Sequence, residues 1–198
     1  MSNLPSFLKH KDQFQTIYGR NLLAEIANII PAKSLIVTME DLWDKWKEHF
    51  KDLDVQVHFA NSMEVTNLDK ALKNFEPFHF VVGIGGGRAL DAAKYFTWQK
   101  NAKLFHVPTS MSVNAAFGQR SGVRVNSEVR YIGWTTPEAV YIDFDIIQSA
   151  PKVVNRSGIC EIMCYHTAHL DWKYSFDKNK CETKWPYSQD MVDEAKSV

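Results

Sequence analysis

Between residues 34 and 108 the chain alternates unbroken apolar runs with amphipathic segments, and this alternation restricts the fold more than any other feature. SLIVTM (34–39), VQVHFA (55–60), HFVVGI (79–84) and KLFHVP (103–108) read as strands, rich in β-branched and aromatic residues. Between them DLWDKWKEHFKDL (41–53), NLDKALKNF (67–75) and RALDAAKYFTWQK (88–100) carry apolar residues at helical spacing, with Thr66 or Asn67 a candidate cap for the second. Strands joined by helices of this length form βαβ units, hence a parallel sheet. The runs show no polar alternation, as expected of strands buried on both sides.

The expected fold class is α/β: a Rossmann-like, mainly parallel sheet with helices on both faces. Beyond Pro108 the texture changes to polar and small residues, and VRV and VRYIGW around Asn126-Ser127 predict a hairpin. EAVYID (138–143) predicts another strand and DIIQSAP (145–151) a short helix ended by Pro151. From Asn155 the pattern is helical throughout, with apolar residues at 159, 162, 163, 170 and 172. The expected organisation is an α/β nucleotide-binding domain over 1–152 and the start of an all-helical domain over 153–198. Ser188 caps one more expected helix, which reaches the last residues without a C-cap, so the chain reads as a fragment of a longer protein.

Twenty-three basic residues balance 23 acidic ones, so neither nucleic acid nor an anionic membrane is an expected partner. No run approaches the roughly 18 apolar residues of a membrane span. The opening MSNLPSFLKHKDQF has no unbroken apolar core, and three cysteines have no framework spacing; the cytoplasm is the expected compartment.

The strand HFVVGI runs into Gly85, Gly86 and Gly87, and a helix follows. Glycines there admit unusual backbone angles and let a ligand approach the main chain without meeting a Cβ. The following helix turns its free N–H groups and positive dipole end toward the loop, which suits a phosphate. The ordinary dinucleotide fingerprint is not met, because Arg88 stands where its third glycine belongs, and no P-loop Gly-Lys follows. A turn serving only strand–helix packing is the alternative. Asp91 and Lys94, three apart, read in isolation as a surface helix pair. After the first strand, Glu40 or Asp41 could accept from an adenosine ribose hydroxyl, which would favour NAD over NADP, or could be an ordinary helix-start acid.

GGGRALDAAK resembles the GGGxxxDxxK signature of the iron-containing alcohol dehydrogenase and dehydroquinate synthase-like superfamily. FHVPTSMSVNAAF and EAVYIDFDIIQSAPKVVNRSGICEIMCYHTAHLDWKYS resemble further ordered motifs of its glycerol and glycerol-1-phosphate dehydrogenase branch, so the likeness spans roughly residues 14 to 176. It implies that Gly85, Gly86 and Gly87 hold the pyrophosphate of NAD(P), with Asp91 near it and Thr109 and Ser112 on the cofactor. Asn114 falls where that branch has a substrate-binding Asp, and Ala115 where Gly is common; both are departures. Glu161 falls on the acidic metal-binding position for zinc or iron.

The implied reaction is hydride transfer between an alcohol or polyol phosphate and the nicotinamide, with the metal stabilising the alkoxide. The alternatives are a dehydroquinate synthase-like cyclase and a non-catalytic nucleotide-binding fragment, and a homodimer is a further possibility. His166 and His169 do not complete a metal site with Glu161. Along a helix, His169 lies about 12 Å from it and His166 is turned about 140° away.

Overall fold

The computed structural model describes residues 14–183 and 185–197; the opening segment considered above for targeting otherwise lies outside them. Six parallel strands form the sheet, in the order β1-β8-β5-β4-β2-β3. They are β1 (Gln15–Gly19), β2 (Ser34–Thr38), β3 (Val55–Phe59), β4 (Phe80–Gly85), β5 (Lys103–Pro108) and β8 (Ala139–Asp143). Every residue of β2 and β8 is buried, as their unbroken apolar runs require. The sequence pattern did not reveal β1 or the helix after it, α1 (Leu22–Ile29). β1 is an edge strand with Gln15 and Tyr18 exposed, so its five residues carry little apolar signal.

Helices cover both faces. On one, α1, α2 (Glu40–Trp46) and a 3₁₀ turn (Lys47–Phe50) pack Leu23, Ile26, Trp46 and Phe50 against Ile36, Val82 and Ile84. On the other, α3 (Val65–Asn74) and α4 (Gly87–Lys100) pack Leu68, Ala89, Ala93 and Phe96 against Leu35, Val37 and Val81. The single helix expected over 41–53 is thus broken: the α-helix ends at Trp46 and a 3₁₀ turn follows, with Trp46 and Phe50, four apart, both in the core. α3 also starts before Thr66 and Asn67, and neither caps it: the Asn67 amide donates to Ser62 Oγ at 2.9 Å instead.

No helix joins β5 to β8. A 3₁₀ turn (Asn114–Ala116) and the antiparallel hairpin of β6 (Ser121–Val125) and β7 (Glu128–Ile132) fill that connection. Asn126 and Ser127 both adopt positive φ, 52° and 67°, the geometry of a two-residue hairpin turn. After β8 come α5 (Phe144–Ser149), α6 (Lys152–Asp177) and α7 (Gln189–Lys196), the last capped by Ser188 as expected. α6 starts three residues ahead of the expected Asn155, directly behind Pro151. Among the described residues no helix is long and apolar enough to cross a membrane.

Two buried charged groups order the carboxyl edge of the sheet. Asp143 accepts from the backbone N–H of Asp145 and Ile146, capping α5, and from Leu22 N at 2.7 Å, so it also ties down the start of α1. Lys94 lies inside α4 with 1% of its surface exposed. Its ammonium meets Asp91 Oδ1 at 2.7 Å and the carbonyl oxygens of Ala115, Gly118 and Arg120 at 3.0, 2.9 and 2.8 Å. The surface pair suggested by spacing alone is therefore an interior one. Burial pulls Lys94 below the ordinary lysine range, and Asp91 opposes that. A nitrogen surrounded by oxygen acceptors alone suits the ammonium form, which offers three N–H donors, whereas a neutral amine would turn its lone pair toward one of those oxygens.

His106 on β5 fastens the same segment from the sheet side. Its Nδ1 lies 3.0 Å from Ala116 O, which requires the proton on Nδ1. The ring is wholly buried, and burial lowers its pKa from 6.5 to about 3.

These groups give three expectations. Lys94→Met, which strands Asp91 and three carbonyls, should cost about 3–5 kcal/mol in a urea titration; a loss under about 1 kcal/mol would contradict the clamp. Asp143→Ala should cost about 2–3 kcal/mol by the same measurement, as a cap and a third charge-assisted bond disappear. A melting temperature left unchanged would argue against its double role. Because the folded pKa of His106 is depressed, its contribution is complete above about pH 6.5. As pH falls toward about 3, stability should drop by about 1.4 kcal/mol per unit from this group. His106→Asn, which retains a donor for Ala116, should flatten that part of the stability–pH curve; an unchanged slope would assign the proton elsewhere.

Candidate functional site

β2 lies between β3 and β4, so the chain leaves β2 in one direction and returns past it to β4. That reversal opens a crevice at the carboxyl ends of β2 and β4, where parallel α/β sheets take ligands. The glycine loop occupies it, with Gly85 ending β4, Gly86 preceding α4 and Gly87 opening it.

The glycines serve different ends. A Cβ on Gly83 would sit 2.8 Å from Ala93 Cβ, and one on Gly85 would sit 2.7 Å from Ala89 Cβ. Both glycines let α4 press against the sheet. Gly87 is partly constrained, with Val113 3.2 Å from its hypothetical Cβ. Gly86 differs: its φ of −82° and ψ of −171° suit any residue, and a Cβ there would meet nothing within 4 Å. Neither backbone strain nor packing calls for glycine at that position. The start of α4 also has no side-chain cap, leaving its first N–H groups directed at the open space.

Thr109 is buried at the end of β5, and its N–H donates to Gly85 O at 3.1 Å, setting the next loop beside the glycines. Ser112 pairs with Ser110 through their hydroxyls at 3.0 Å, and exposed Asn114 opens the 3₁₀ turn held by Lys94 and His106. Asn155 Oδ1 accepts from Met111 N at 2.9 Å while Nδ2 donates to Ile147 O at 2.8 Å, pinning α6 to this loop. One turn on, α6 lies so close that a Cβ on Gly158 would fall 1.9 Å from Met111 O. A further turn brings Glu161 to the same region.

Two adjoining cavities result. One of about 580 Å³ is lined by Gly87, Asp91, Asn114, Arg120, Trp134 and Glu161, among others. The other, about 350 Å³, is mainly apolar, with Met111, Val113, Phe117, Ile159 and Tyr165 beside Asn114 and Glu161. The structure therefore brings Gly87, Asp91, Asn114 and Glu161 together. The Asp91 carboxylate is engaged by Lys94 and the Gly122 N–H, and burial raises its pKa against those partners. Glu40 stands apart, exposed at the first residue of α2, with Asn61 Nδ2 donating to it at 3.5 Å.

Among the described residues no three His, Cys, Asp or Glu side chains group as metal ligands. The His166 and His169 rings are 6.2 Å apart on α6, and neither lines the Glu161 cavities. The residues that sequence reasoning missed are Lys94 as a clamp, His106, Asn155 and Gly158. Lys94 was detectable in principle, since AAKYF places it among apolar neighbours on one helix face. The other three act through contacts between distant segments and leave no local signal.

Over residues 29–151, more than half of the chain, the sequence matches the family described as iron-containing alcohol dehydrogenase. The glycerol-1-phosphate dehydrogenase [NAD(P)+] of Methanococcus aeolicus is 32% identical over 127 residues, 64% of this chain and 35% of the relative. A probable glycerol dehydrogenase from Sinorhizobium meliloti superposes with a TM-score of 0.71 at 17% identity, covering 92% of this chain and 54% of that one. A 2-deoxy-scyllo-inosose synthase solved with carbaglucose-6-phosphate, NAD+ and Co2+ superposes at 0.63 and 18% identity, over 77% and 48% of the two chains. The chain thus spans about a third to a half of the length of these relatives. With its glycine loop, parallel sheet and ordered motifs, the chain belongs to the iron-containing alcohol dehydrogenase family.

Proposed function

We propose that the chain binds NAD(P) and forms the cofactor half of a dehydrogenase acting on an alcohol, polyol or polyol phosphate. The observation that carries this reading is Gly86, a glycine that the fold itself does not need. A dinucleotide pyrophosphate laid against it would accept from the N–H groups that open α4. A glycerol-1-phosphate dehydrogenase relative named for NAD(P)+ and a structural neighbour solved with NAD+ support the same choice.

In this reading Gly85, Gly86 and Gly87 hold the pyrophosphate, Glu40 faces the adenosine ribose, and Thr109 and Ser112 support the nicotinamide half. Asn114 reaches the substrate, where an amide can donate as well as accept, unlike the carboxylate usual in the glycerol dehydrogenase branch. Asp91 acts through Lys94, fixing the segment that carries Asn114. When bound, the dinucleotide supplies the hydride acceptor or donor; the chain contributes orientation and a partly dry cavity. Residues 1–152 form the nucleotide-binding unit and 153–198 the start of a helical one.

Glu161 is the candidate metal-binding acid. A catalytic zinc or iron centre takes about three protein ligands, and the described residues hold no such group. The described residues therefore fit dinucleotide binding and not a complete metal site. That supports a second reading, in which this chain alone binds nucleotide without turnover.

NADH fluorescence titration tests the first reading. Gly86→Val should weaken NADH binding by about 100-fold or more, since the side chain would enter the pyrophosphate space. Its melting temperature should fall by no more than a few degrees, as the added atoms meet no protein. Undiminished affinity in this variant would refute the placement, and failure of the unaltered chain to bind NADH would refute the reading itself.

A further inference from the structure

We propose that an anion subsite beside the glycine loop recognises the 2′-phosphate of NADP(H), so that the chain prefers the phosphorylated dinucleotide; this rests on the dinucleotide reading above. A cavity of about 380 Å³ lies between the start of α4, the segment after β3 and the β6–β7 hairpin, lined by Asn61, Ser62, Glu64, Arg88 and Arg124, among others. It is separate from the cavities that hold Asn114 and Glu161, and it lies on the opposite side of the glycine loop. A dinucleotide whose pyrophosphate rests on Gly86 must send one half each way. With the nicotinamide directed to the β5 loop, the adenosine ribose is directed toward the ends of β2 and β3, where Asn61 and Ser62 follow β3.

The lining carries donors that lack acceptors. Arg88, the second residue of α4, is exposed and makes no ion pair or hydrogen bond with the described residues. Arg124 donates one nitrogen to Ser127 O at 2.9 Å, leaving its others for a ligand. Ser62 Oγ accepts from Glu64 N at 3.3 Å and from Asn67 Nδ2 at 2.9 Å. With both lone pairs taken, that hydroxyl can serve a ligand only as a donor. A phosphate dianion accepts from all three, and two guanidinium groups suit it by charge and by forked geometry.

One carboxylate, Glu64, shares the lining. Its Oε1 accepts from Ser127 N at 2.9 Å, which holds it to the hairpin turn, and the cavity retains a net positive side-chain charge. Glu40 does not line the cavity and reaches it only through Asn61, whose Nδ2 donates to its carboxylate at 3.5 Å. In this proposal it accepts from the 3′-hydroxyl and not from the 2′-hydroxyl whose recognition would favour NAD.

Calorimetric titration of the 198-residue chain with 2′,5′-ADP and 5′-ADP, and with NADPH and NADH, tests the proposal at low salt. The expected result is 2′,5′-ADP binding at least about ten times more tightly than 5′-ADP, with the same order for NADPH over NADH. That ratio should fall toward unity in Arg88→Ala and in Arg124→Ala, and by a few-fold in Ser62→Ala. Arg124 lies on the hairpin, away from the pyrophosphate, so the ratio in its variant isolates the 2′-phosphate. Equal affinity for the two adenine nucleotides, or a preference that survives loss of both arginines, overturns the subsite and leaves the dinucleotide reading standing. No binding of any of the four overturns both.

Discussion

The ammonium of Lys94 is the constraint on which the functional edge of this protein depends. A positive charge inside α4 is tolerated only because Asp91 and three backbone carbonyls surround it, and those carbonyls belong to a 3₁₀ turn and the loop that follows it. Most connections between a parallel pair of strands are ordered by a crossover helix. Here the connection from β5 to β8 is a 3₁₀ turn, a loop and a hairpin, and the side chain of one lysine adds three bonds that tie the turn and loop to α4. His106 adds a second tether to Ala116 from the sheet. Asn114, which opens this segment, inherits its position from two buried groups.

Much of the architecture was legible because it rests on local pattern. The inner strands β2, β4 and β5 announced themselves as apolar runs, and Asn126-Ser127 announced the hairpin. β3 was read from the same pattern, but as an edge strand it is half-buried throughout and not covered on both sides as expected. β1 went unread because an edge strand packs on few neighbours, and QTIYG offers no period to detect. The break after Trp46 left no trace in the pattern: Trp46 and Phe50, four residues apart, face the core together whether the helix runs on or tightens, so the apolar period does not distinguish the two. The site shows the same division. The three glycines were visible as a loop for an anion, yet only the three-dimensional surroundings separate Gly86 from Gly83 and Gly85, which serve packing. Asn155, Gly158 and His106 join segments far apart in sequence, so no local pattern pointed to them.

Family membership rests on residues 29–151, and the chain spans a third to a half of its relatives' length. The described residues bring an open glycine loop and the cavities beside Asn114 and Glu161 together, and among them no three His, Cys, Asp or Glu side chains group as metal ligands. None of the 26 residues of α6 is buried, and Ile159, Ile162, Met163 and Leu170 stand in solvent.

The contact between Gly158 and Met111 gives α6 the mechanics of a lever. From Gly158 to Asp177 the helix extends about 28 Å at 1.5 Å per residue. A tilt of about 5° at that pivot would carry the far end through roughly 2.5 Å, while Glu161, one turn from the fulcrum, would move by less than about half an ångström. The loop that presses on Gly158 also carries Ser110 and Ser112 and leads to Asn114. A small displacement of that loop would therefore be magnified at the distal end of the helix, with the acid beside the cavities kept nearly in place.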